Sequence, residues 1–318
     1  MPPFLHTLAA VLTALLLGSA IGAQEAPRTF RVTLLGPGSP VPSLTRFGPS
    51  TLVEAGDQTL VFDAGRGAPQ RLSQLGVPFT RIDALFLTHL HSDHVVGLPD
   101  LWLTGWVIGR RTAPLDVYGP AGTASLVEHL GAAFAFDVRI RVEDGHQNPE
   151  GGRLIAHEIE QGVVYERGGV RVTAFLVDHG MVAPAFGYRI DYGGRSAVLS
   201  GDTRFSPNLI TFARGADLLV HEVALARPDI GPSDPSYNAF SHHLTPEQAG
   251  EVFAQVRPAL AVYSHIVVFG NLDEADILTR TRRSYSGPVV LGQDLMSVAV
   301  GDRAPTPRPR TTRTAPVR

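Results

Sequence analysis

The sequence predicts an α/β fold in which two β-sheets pack face to face and helices cover both outer faces, a four-layer αββα sandwich. Each half of the chain begins with closely spaced strand patterns and continues into alternating strand and helix patterns. No repeat of fixed period and no internal linker interrupts residues 24–300. One compact domain with two sheets fits this order, because each sheet buries one face against the other and one face beneath helices.

The first half opens with strand patterns. Residues 30–36, FRVTLLG, are typical of a strand, and residues 50–65 indicate a hairpin with Gly56 and Asp57 at its turn. Residues 82–88, IDALFLT, are almost entirely apolar, which is typical of a buried strand. The remaining predictions in this half are helices at 68–76, 98–109 and 123–134, a strand at 113–119 and an exposed loop at 142–152.

The second half carries more strand patterns than the first. Residues 169–178 and 185–202 both alternate between apolar and polar positions. The Gly-Gly pair at 193–194 marks a hairpin turn inside the second stretch. The remaining predictions are strands at 216–223, 260–265 and 288–292, a helix that begins at Thr245 and a helix that begins at Asp273.

Both ends of the chain differ from the rest in composition. Residues 7–20 are apolar and uncharged but too short for a comfortable membrane span, and small residues around Ala23 offer a cleavage point. Together they indicate a signal peptide at 1–23, with an uncleaved membrane anchor as the alternative. Residues 301–318 are rich in Pro and Arg and are predicted to be a disordered, solvated tail. Contact of this basic tail with nucleic acid or anionic lipid is the alternative.

Composition and charge exclude several kinds of site. The chain has 318 residues with a formal net charge of -3, and every one of its basic residues is Arg. A basic excess of the kind that marks nucleic-acid binders is missing, so we do not expect a nucleic-acid partner. The chain has no Cys, which excludes a disulfide framework, a thiolate nucleophile and a Cys-bound zinc.

Residues 88–94, THLHSDH, concentrate metal-binding side chains directly after the apolar strand. His89 and His91 point to the same side because side chains alternate along an extended chain, whereas Asp93 and His94 come round the turn and face a neighbouring point. This arrangement suits two metal ions roughly 3.5–4 Å apart, as in two-metal hydrolases. Imidazole and carboxylate ligands favour Zn²⁺, with Mn²⁺ or Fe as alternatives. The sequence therefore predicts two divalent metal ions.

The longer stretch THLHSDHVVGLPDL resembles the signature of the metallo-β-lactamase superfamily, and later motifs resemble its ribonuclease Z and secreted arylsulfatase-like branch. The resemblance covers nearly all of residues 30–300 and implies the metallo-β-lactamase fold and a metal-dependent hydrolase. The motifs follow the family's order: FDAG (62–65), VYGP (117–120), AFGYRI (185–190), SGDT (200–203), HEV (221–223), HLT (243–245) and YSH (263–265).

The resemblance also implies a role for each ligand-type residue. A hydroxide between the metals would be the nucleophile, because two divalent cations lower the pKa of bound water towards neutrality. Asp63 in FDAG would accept a hydrogen bond from a ligand histidine. The metal set comprises His89, His91 and His179 for the first ion, Asp93, His94 and His265 for the second, and Asp202 as the bridge.

His243 matches the family's histidine beside the scissile group. The resemblance implies that His243 donates a proton to the leaving oxygen or holds a non-bridging oxygen, and that Glu222 orients it. Asp93 is counted with these two among the catalytic residues. Directly after His243, the sequence predicts the start of a helix, because Thr245 is a good N-cap and Gln248 completes a Thr-x-x-Gln capping box.

Five further positions carry weaker signals. His242 is expected to be an ordinary loop residue and His221 to be structural. Asp178 either accepts a hydrogen bond from a metal ligand or simply ends a strand. Trp102 and Trp106 lie one helical turn apart, and the sequence leaves open whether they line a pocket or face the core.

The expected substrate follows from a departure from the family. Bacterial ribonuclease Z carries a long arm rich in Gly, Lys and Arg that grips tRNA, whereas residues 146–169 of this chain are short and lack Lys. Phosphate contacts need Lys and Arg, so this departure and the predicted signal peptide favour the arylsulfatase-like branch. We therefore expect a hydrolase of a phosphodiester, sulfate ester or similar small ester, exported to the periplasm or secreted.

Two alternatives to this function stay open. One is a tRNA 3′-processing endonuclease of the ribonuclease Z type, and the other is a metal-binding module without turnover. The main expectation takes a small-molecule ester as the partner and includes no stable membrane span after signal cleavage. The oligomeric state is left open, with a homodimer as one option.

Overall fold

The computed structural model describes residues 29–307. The predicted signal peptide at 1–23 and residues 308–318 of the predicted tail lie outside the described residues. The strands are β1 (Phe30–Gly36), β2 (Ser50–Ala55), β3 (Gln58–Phe62), β4 (Ala84–Phe86), β5 (Leu115–Gly119), β6 (Leu154–Glu158), β7 (Gly162–Arg167), β8 (Val170–Val177), β9 (Ala185–Tyr192), β10 (Arg195–Leu199), β11 (Leu218–Leu225), β12 (Leu260–Val268), β13 (Val289–Leu291), β14 (Met296–Ala299) and β15 (Thr306–Pro307). The helices are α1 (Ala68–Gln74), α2 (Ser92–Val95), α3 (Leu98–Val107), α4 (Thr123–Ala133), α5 (Ala135–Glu143), α6 (Pro207–Ala213), α7 (Tyr237–Phe240), α8 (Pro246–Val256) and α9 (Ala275–Thr281).

The strands form two sheets, as the sequence predicts. The first sheet has the order β15-β14-β1-β2-β3-β4-β5-β6, and the second has the order β13-β12-β11-β10-β9-β8-β7. Strands β3 to β6 run parallel in the first sheet, and β10 to β13 run parallel in the second. Loops that follow parallel strands leave from the same edge of a sheet, so this edge is where the chemistry is expected.

Three apolar clusters hold the four layers together. The largest lies between the sheets and contains Phe62 and Phe86 from the first sheet and Tyr188 from the second. The other two clusters lie on the outer faces, where α1 and α3 cover the first sheet and α6 and α8 cover the second. Burial of apolar side chains in all three interfaces produces the αββα sandwich, and this confirms the predicted fold class.

Hydrogen bonds join the two sheets beside the strand end that carries the histidine-rich motif. The hydroxyl of Tyr188 in β9 donates to the carbonyl oxygen of Leu87, at 2.6 Å. The amide of Phe186, in the same strand, donates to the carbonyl oxygen of Thr88, at 2.9 Å. Both acceptors lie just beyond β4, so the second sheet fixes the path of the chain immediately before His89.

The two tryptophans of α3 face the core and do not line a site pocket. Trp102 and Trp106 are buried, and each indole N–H donates to a carbonyl of the segment after α5, to Gly152 and Asn148 respectively. A buried indole needs such an acceptor. The predicted loop at 142–152 is therefore exposed over most of its length but anchored at its C-terminal end.

Several elements were not predicted from the sequence. Helix α5 and strands β6 and β7 are absent from the predictions, and most of their side chains are partly or fully exposed, so their apolar periodicity is weak. The helix predicted from Asp273 begins at Ala275, whose amide donates to the Asp273 carboxylate. Within residues 29–307, no helix is both long and apolar enough to cross a membrane.

Candidate metal centre

All seven metal-ligand candidates lie at one edge of the sandwich, and both sheets contribute to them. His89 and His91 follow β4, and Asp93 and His94 lie in α2. The second sheet supplies the remaining three, which are His179 after β8, Asp202 after β10 and His265 within β12. Six of the seven residues are buried, and His91 is the exposed one.

Two local backbone features aim the ligands of the second sheet. His265 is the extra residue of a β-bulge between β11 and β12, and its φ of 42° is unusual for a residue with a side chain. Asp202 follows Gly201, whose φ is 60° and where a Cβ would come within 2.5 Å of the Phe186 carbonyl oxygen. The bulge and the glycine turn both side chains away from the sheet and into the site.

The first cluster combines three imidazoles and one carboxylate. The Nε2 atom of His89 lies 3.0 Å from Nδ1 of His91, and Nε2 of His179 lies 3.3 Å from the same Nδ1. The Oδ2 atom of Asp202 lies 3.8 Å from His89 Nε2 and 3.9 Å from His179 Nε2. One ligand atom from each of the four residues lies within 4.8 Å of the others, a grouping that could hold one metal ion.

The second cluster shares the carboxylate of Asp202. The Nε2 atom of His265 lies 3.2 Å from Oδ2 of Asp93 and 3.2 Å from Oδ2 of Asp202. The Nε2 atom of His94 lies 3.6 Å and 3.3 Å from the same two oxygens. Asp202 Oδ2 therefore faces imidazoles of both clusters, which is the position that a bridging ligand requires.

The hydrogen bonds around the site leave the Nε2 atoms of His94 and His179 available to bind metal ions. His94 donates from Nδ1 to Asp63, at 2.8 Å, and His179 donates from Nδ1 to the carbonyl oxygen of His242, at 3.0 Å. An imidazole that donates from Nδ1 presents its Nε2 lone pair to a metal. Within the described residues, His94 Nε2 and Asp202 Oδ1 are buried without a hydrogen-bond partner. Nitrogen and carboxylate donors with unsatisfied buried atoms fit divalent metal ions.

Burial would lower the pKa of His94, but Asp202 and Asp63 raise it well above its usual range, so a metal ion at its Nε2 must displace a proton. The electrostatics of three other ligand candidates agree with metal binding. Burial lowers the pKa of His89 well below its usual range and lowers that of His179 to about 4, so both are neutral and able to bind metal. Burial alone would raise the pKa of Asp202, but the imidazoles of His265 and His94 hold it well below its usual range. Asp202 is therefore ionised, as a ligand between two cations must be.

Asp63 binds both ends of the metal loop, which comprises residues 88–94. Its carboxylate accepts hydrogen bonds from the amide of Thr88, at 2.8 Å, from the Thr88 hydroxyl and from His94. The residue has a φ of 57°, a left-handed conformation that Asp adopts more readily than most residues. Thr88 was missed from the sequence, although its position directly before the first histidine was a usable signal.

His243 and Glu222 form the pair that the sequence predicts. His243 donates from Nδ1 to Glu222, at 3.1 Å, and the amide of Leu244 donates to the other oxygen of that carboxylate, at 2.7 Å. Burial would lower the pKa of His243, but the Glu222 carboxylate raises it to about 9. One ring nitrogen of His243 lies within 4.8 Å of ligand atoms on Asp202 and His265. The helix after this loop starts with the predicted capping box of Thr245 and Gln248.

The structure also places the positions that carried weaker signals. His221 is buried, donates from Nδ1 to the Glu222 carbonyl oxygen and contacts no ligand candidate, which indicates a structural role. His242 supplies its backbone carbonyl to His179, and Asp178 accepts the amide of Gly180. A backbone acceptor carries no side-chain signal, so sequence patterns could not identify the His242 carbonyl.

Known proteins share this fold and much of this sequence. The profile of the β-lactamase superfamily domain matches residues 58–266. The ribonuclease Z of Mycobacterium marinum (strain ATCC BAA-535 / M) is 38% identical over 280 residues, which cover 86% of this chain and 99% of the relative. The ribonuclease Z of Mycolicibacterium gilvum (strain PYR-GCK) is 38% identical over 277 residues, which cover 85% of this chain and 96% of the relative.

Two solved structures show the same fold. A metallo-β-lactamase fold protein from Bacillus subtilis superposes with a TM-score of 0.67 at 19% identity, covering 85% of this chain and 99% of the other. Human tRNase Z, short form, superposes with a TM-score of 0.63 at 23% identity, with the same coverage of both chains. The chain belongs to the metallo-β-lactamase superfamily and, within it, to the ribonuclease Z group. It is a metal-dependent hydrolase.

These relatives correct two expectations. The expected substrate, a phosphodiester, sulfate ester or similar small ester, was wrong, because relatives that match over almost their whole length are named ribonuclease Z. The expectation that nucleic acid is not a partner was wrong for the same reason. The two expectations rested on the missing arm, the lack of Lys, the predicted signal peptide and the net charge of -3, although Arg also contacts phosphate.

Asp202→Ala should lose metal because two cations at short range repel each other unless an anion lies between them. We expect the purified wild-type protein to hold close to two divalent ions per chain, and Asp202→Ala to hold one or none. Elemental analysis of both proteins measures this. Asp178→Ala, a change at an exposed carboxylate beside His179, is the matched control and should keep the wild-type content. Full metal content in Asp202→Ala would refute the bridging position.

Proposed function

We propose that the protein is a metal-dependent endoribonuclease that hydrolyses a phosphodiester bond at the 3′ end of precursor tRNA. The relatives that match nearly end to end are named ribonuclease Z, and they support the substrate class. The observation that carries the chemistry is the His243–Glu222 pair beside the seven ligand candidates. Binding metal requires neither residue of that pair, so its presence supports turnover rather than metal storage.

Two zinc ions are the cofactors that we propose. The ligand candidates are imidazoles and carboxylates, which suit Zn²⁺. Bound at this site, divalent ions would lower the pKa of water and neutralise the charge of a phosphodiester. The seven candidates His89, His91, Asp93, His94, His179, Asp202 and His265 would hold them.

The protein's own residues supply the proton and the orientation. Because His243 uses Nδ1 to donate to Glu222, its Nε2–H is the group available to the leaving ribose oxygen. The amide of Leu244 donates to the Glu222 carboxylate, and the backbone amide of Glu222 donates to the Ser200 hydroxyl oxygen, at 3.0 Å. This network fixes the imidazole plane, so that its proton reaches the same oxygen in each turnover.

His243→Ala should cleave precursor tRNA roughly 10²- to 10⁴-fold more slowly than the wild type, the usual contribution of a general acid. Its metal content and fold should be unchanged, because His243 is not among the seven ligand candidates. The measurement is single-turnover cleavage of a labelled precursor tRNA that carries a 3′ trailer. His242→Ala is the matched control, since the backbone carbonyl that accepts from His179 survives the change and the His242 ring only lies edge-on to the His179 ring, at 5.7 Å.

No cleavage of precursor tRNA by metal-loaded wild type would contradict the proposed function. Wild-type rates in His243→Ala would contradict the role of His243 as the proton donor but would not contradict precursor tRNA as the substrate.

The cellular compartment remains a prediction from residues 1–23, which lie outside the described residues. We propose that the chain is cleaved near Ala23 and exported, a proposal that stands apart from the RNA-cleaving activity, which is measured on purified protein. N-terminal mass spectrometry of fractionated cells measures this. A chain that begins near Gln24 outside the cytoplasm is the expected result, and an intact Met1 on a cytoplasmic protein would refute export.

A further inference from the structure

A pocket of about 420 Å³ opens beside His243. It lies between the segment that follows Asp202 and the short helix α7, so it adjoins the second metal cluster. Its walls include Arg204, Phe205, Tyr237 and Phe240. None of these four side chains takes part in the proposed proton transfer or metal binding. Their chemistry is three aromatic rings and one guanidinium within reach of the reacting group.

The three aromatic rings of the pocket differ in how much of their surface other side chains cover. Phe205 packs against the apolar cluster of the second sheet, and the ring of Phe240 contacts the ring of Phe269 edge-on, at 5.8 Å. Tyr237 is half-buried, and across residues 29–307 its hydroxyl has no hydrogen-bond partner. Among the described residues, Tyr237 is the one of the three rings that neither pairs with another ring nor packs against an apolar cluster, so its faces are available to a ligand.

Part of the Arg204 guanidinium is already hydrogen-bonded within the protein. Its Nε donates to the carbonyl oxygen of Ser241, at 2.7 Å, which ties it to the loop that carries His243. Its Nη1 lies 3.8 Å from the Asp178 carboxylate, too long for a hydrogen bond, and that carboxylate is mostly exposed. The terminal N–H groups of Arg204 thus face the pocket with capacity to bind an anion or an acceptor.

We propose that this pocket binds the nucleobase of the nucleotide whose ribose oxygen leaves, with Tyr237 stacked on the base and Arg204 binding the adjoining phosphate. The inference rests on the proposed function, because it takes RNA as the substrate. Single-stranded RNA is held mainly by stacking of splayed bases on aromatic rings and by Arg contacts to the backbone.

The side of the scissile bond follows from His243. That residue lines the pocket and is the proposed donor to the leaving oxygen, so a base in the pocket belongs to the leaving nucleotide. Stacking tolerates every base, because each base has a π-face. The pocket should accept all four bases and reject a nucleotide without a base.

The test compares precursor tRNAs that differ at one nucleotide. One substrate is intact, a second is abasic at the leaving nucleotide, and a third is abasic on the other side of the scissile phosphate. Wild type, Tyr237→Ala, Tyr237→Phe and the distant exposed-ring control Phe136→Ala are measured with zinc bound and metal content checked. The readouts are kcat/KM for cleavage and, by fluorescence anisotropy, the Kd for each RNA.

We expect that the loss caused by removing the base and the loss caused by removing the Tyr237 ring do not add when both changes are combined. Wild type should lose about 5- to 150-fold in kcat/KM on the RNA that is abasic at the leaving nucleotide, equivalent to ~1–3 kcal/mol of stacking. Tyr237→Ala should show that same loss on intact RNA and no further loss on the abasic one. Tyr237→Phe and Phe136→Ala should behave as the wild type does.

Other outcomes separate the pocket from the proposed function. Equal kcat/KM of wild type on all three RNAs, or sensitivity only at the other nucleotide, would overturn the pocket while the ribonuclease function stands. If wild type cleaves none of the RNAs, the proposed function fails, and the Kd values then test the pocket alone. The pocket is supported if wild type binds the RNA that is abasic at the leaving nucleotide more weakly than intact RNA and Tyr237→Ala does not. Kd values that ignore both the base and Tyr237 overturn it.

Discussion

The carboxylate of Asp63 is the group on which the geometry of the site depends most. It accepts the amide and hydroxyl of Thr88 at the start of the metal loop and Nδ1 of His94 near the end of that loop. One buried anion therefore fixes both ends of the segment that supplies four of the ligand candidates. Because it fixes the tautomer of His94 as well as its position, Asp63 also decides which nitrogen faces the metal.

The site exists only because two sheets pack against each other. The first sheet supplies the loop of His89 to His94, and the second supplies His179, Asp202 and His265. The bond from Phe186 of β9 to the Thr88 carbonyl joins the two halves next to Asp63. Loss of the packed core would therefore separate the ligands of each cluster, which couples metal binding to folding.

Local sequence patterns predicted much of this arrangement. The HxHxDH spacing indicated the ligands of one loop, and the Thr245 capping box indicated where α8 begins. The role of Asp63 as an acceptor from a ligand histidine agrees with the structure. These features were accessible because they depend on side-chain type at short sequence separation.

Features that depend on backbone geometry or on surface shape were not accessible. The bulge at His265, the carbonyl of His242 and the pocket of Arg204 and Tyr237 arise from segments distant in sequence. The substrate was predicted wrongly because a missing Lys-rich arm and a predicted signal peptide say little about where Arg and aromatic side chains lie around the site. Weakly patterned strands such as β6 and β7 were missed because their faces are not clearly apolar.

The most direct measurement is the zinc affinity of Asp63→Asn, by chelator competition. We expect binding about 10- to 100-fold weaker than wild type, since an amide orients and polarises His94 less than a carboxylate does. Asp116→Asn is the control, because Asp116 also pairs with a histidine, His157, at 2.7 Å, in the neighbouring strands β5 and β6. It should bind zinc as the wild type does. Wild-type affinity in folded Asp63→Asn, or an equal loss in Asp116→Asn, would contradict the claim that Asp63 sets the metal centre.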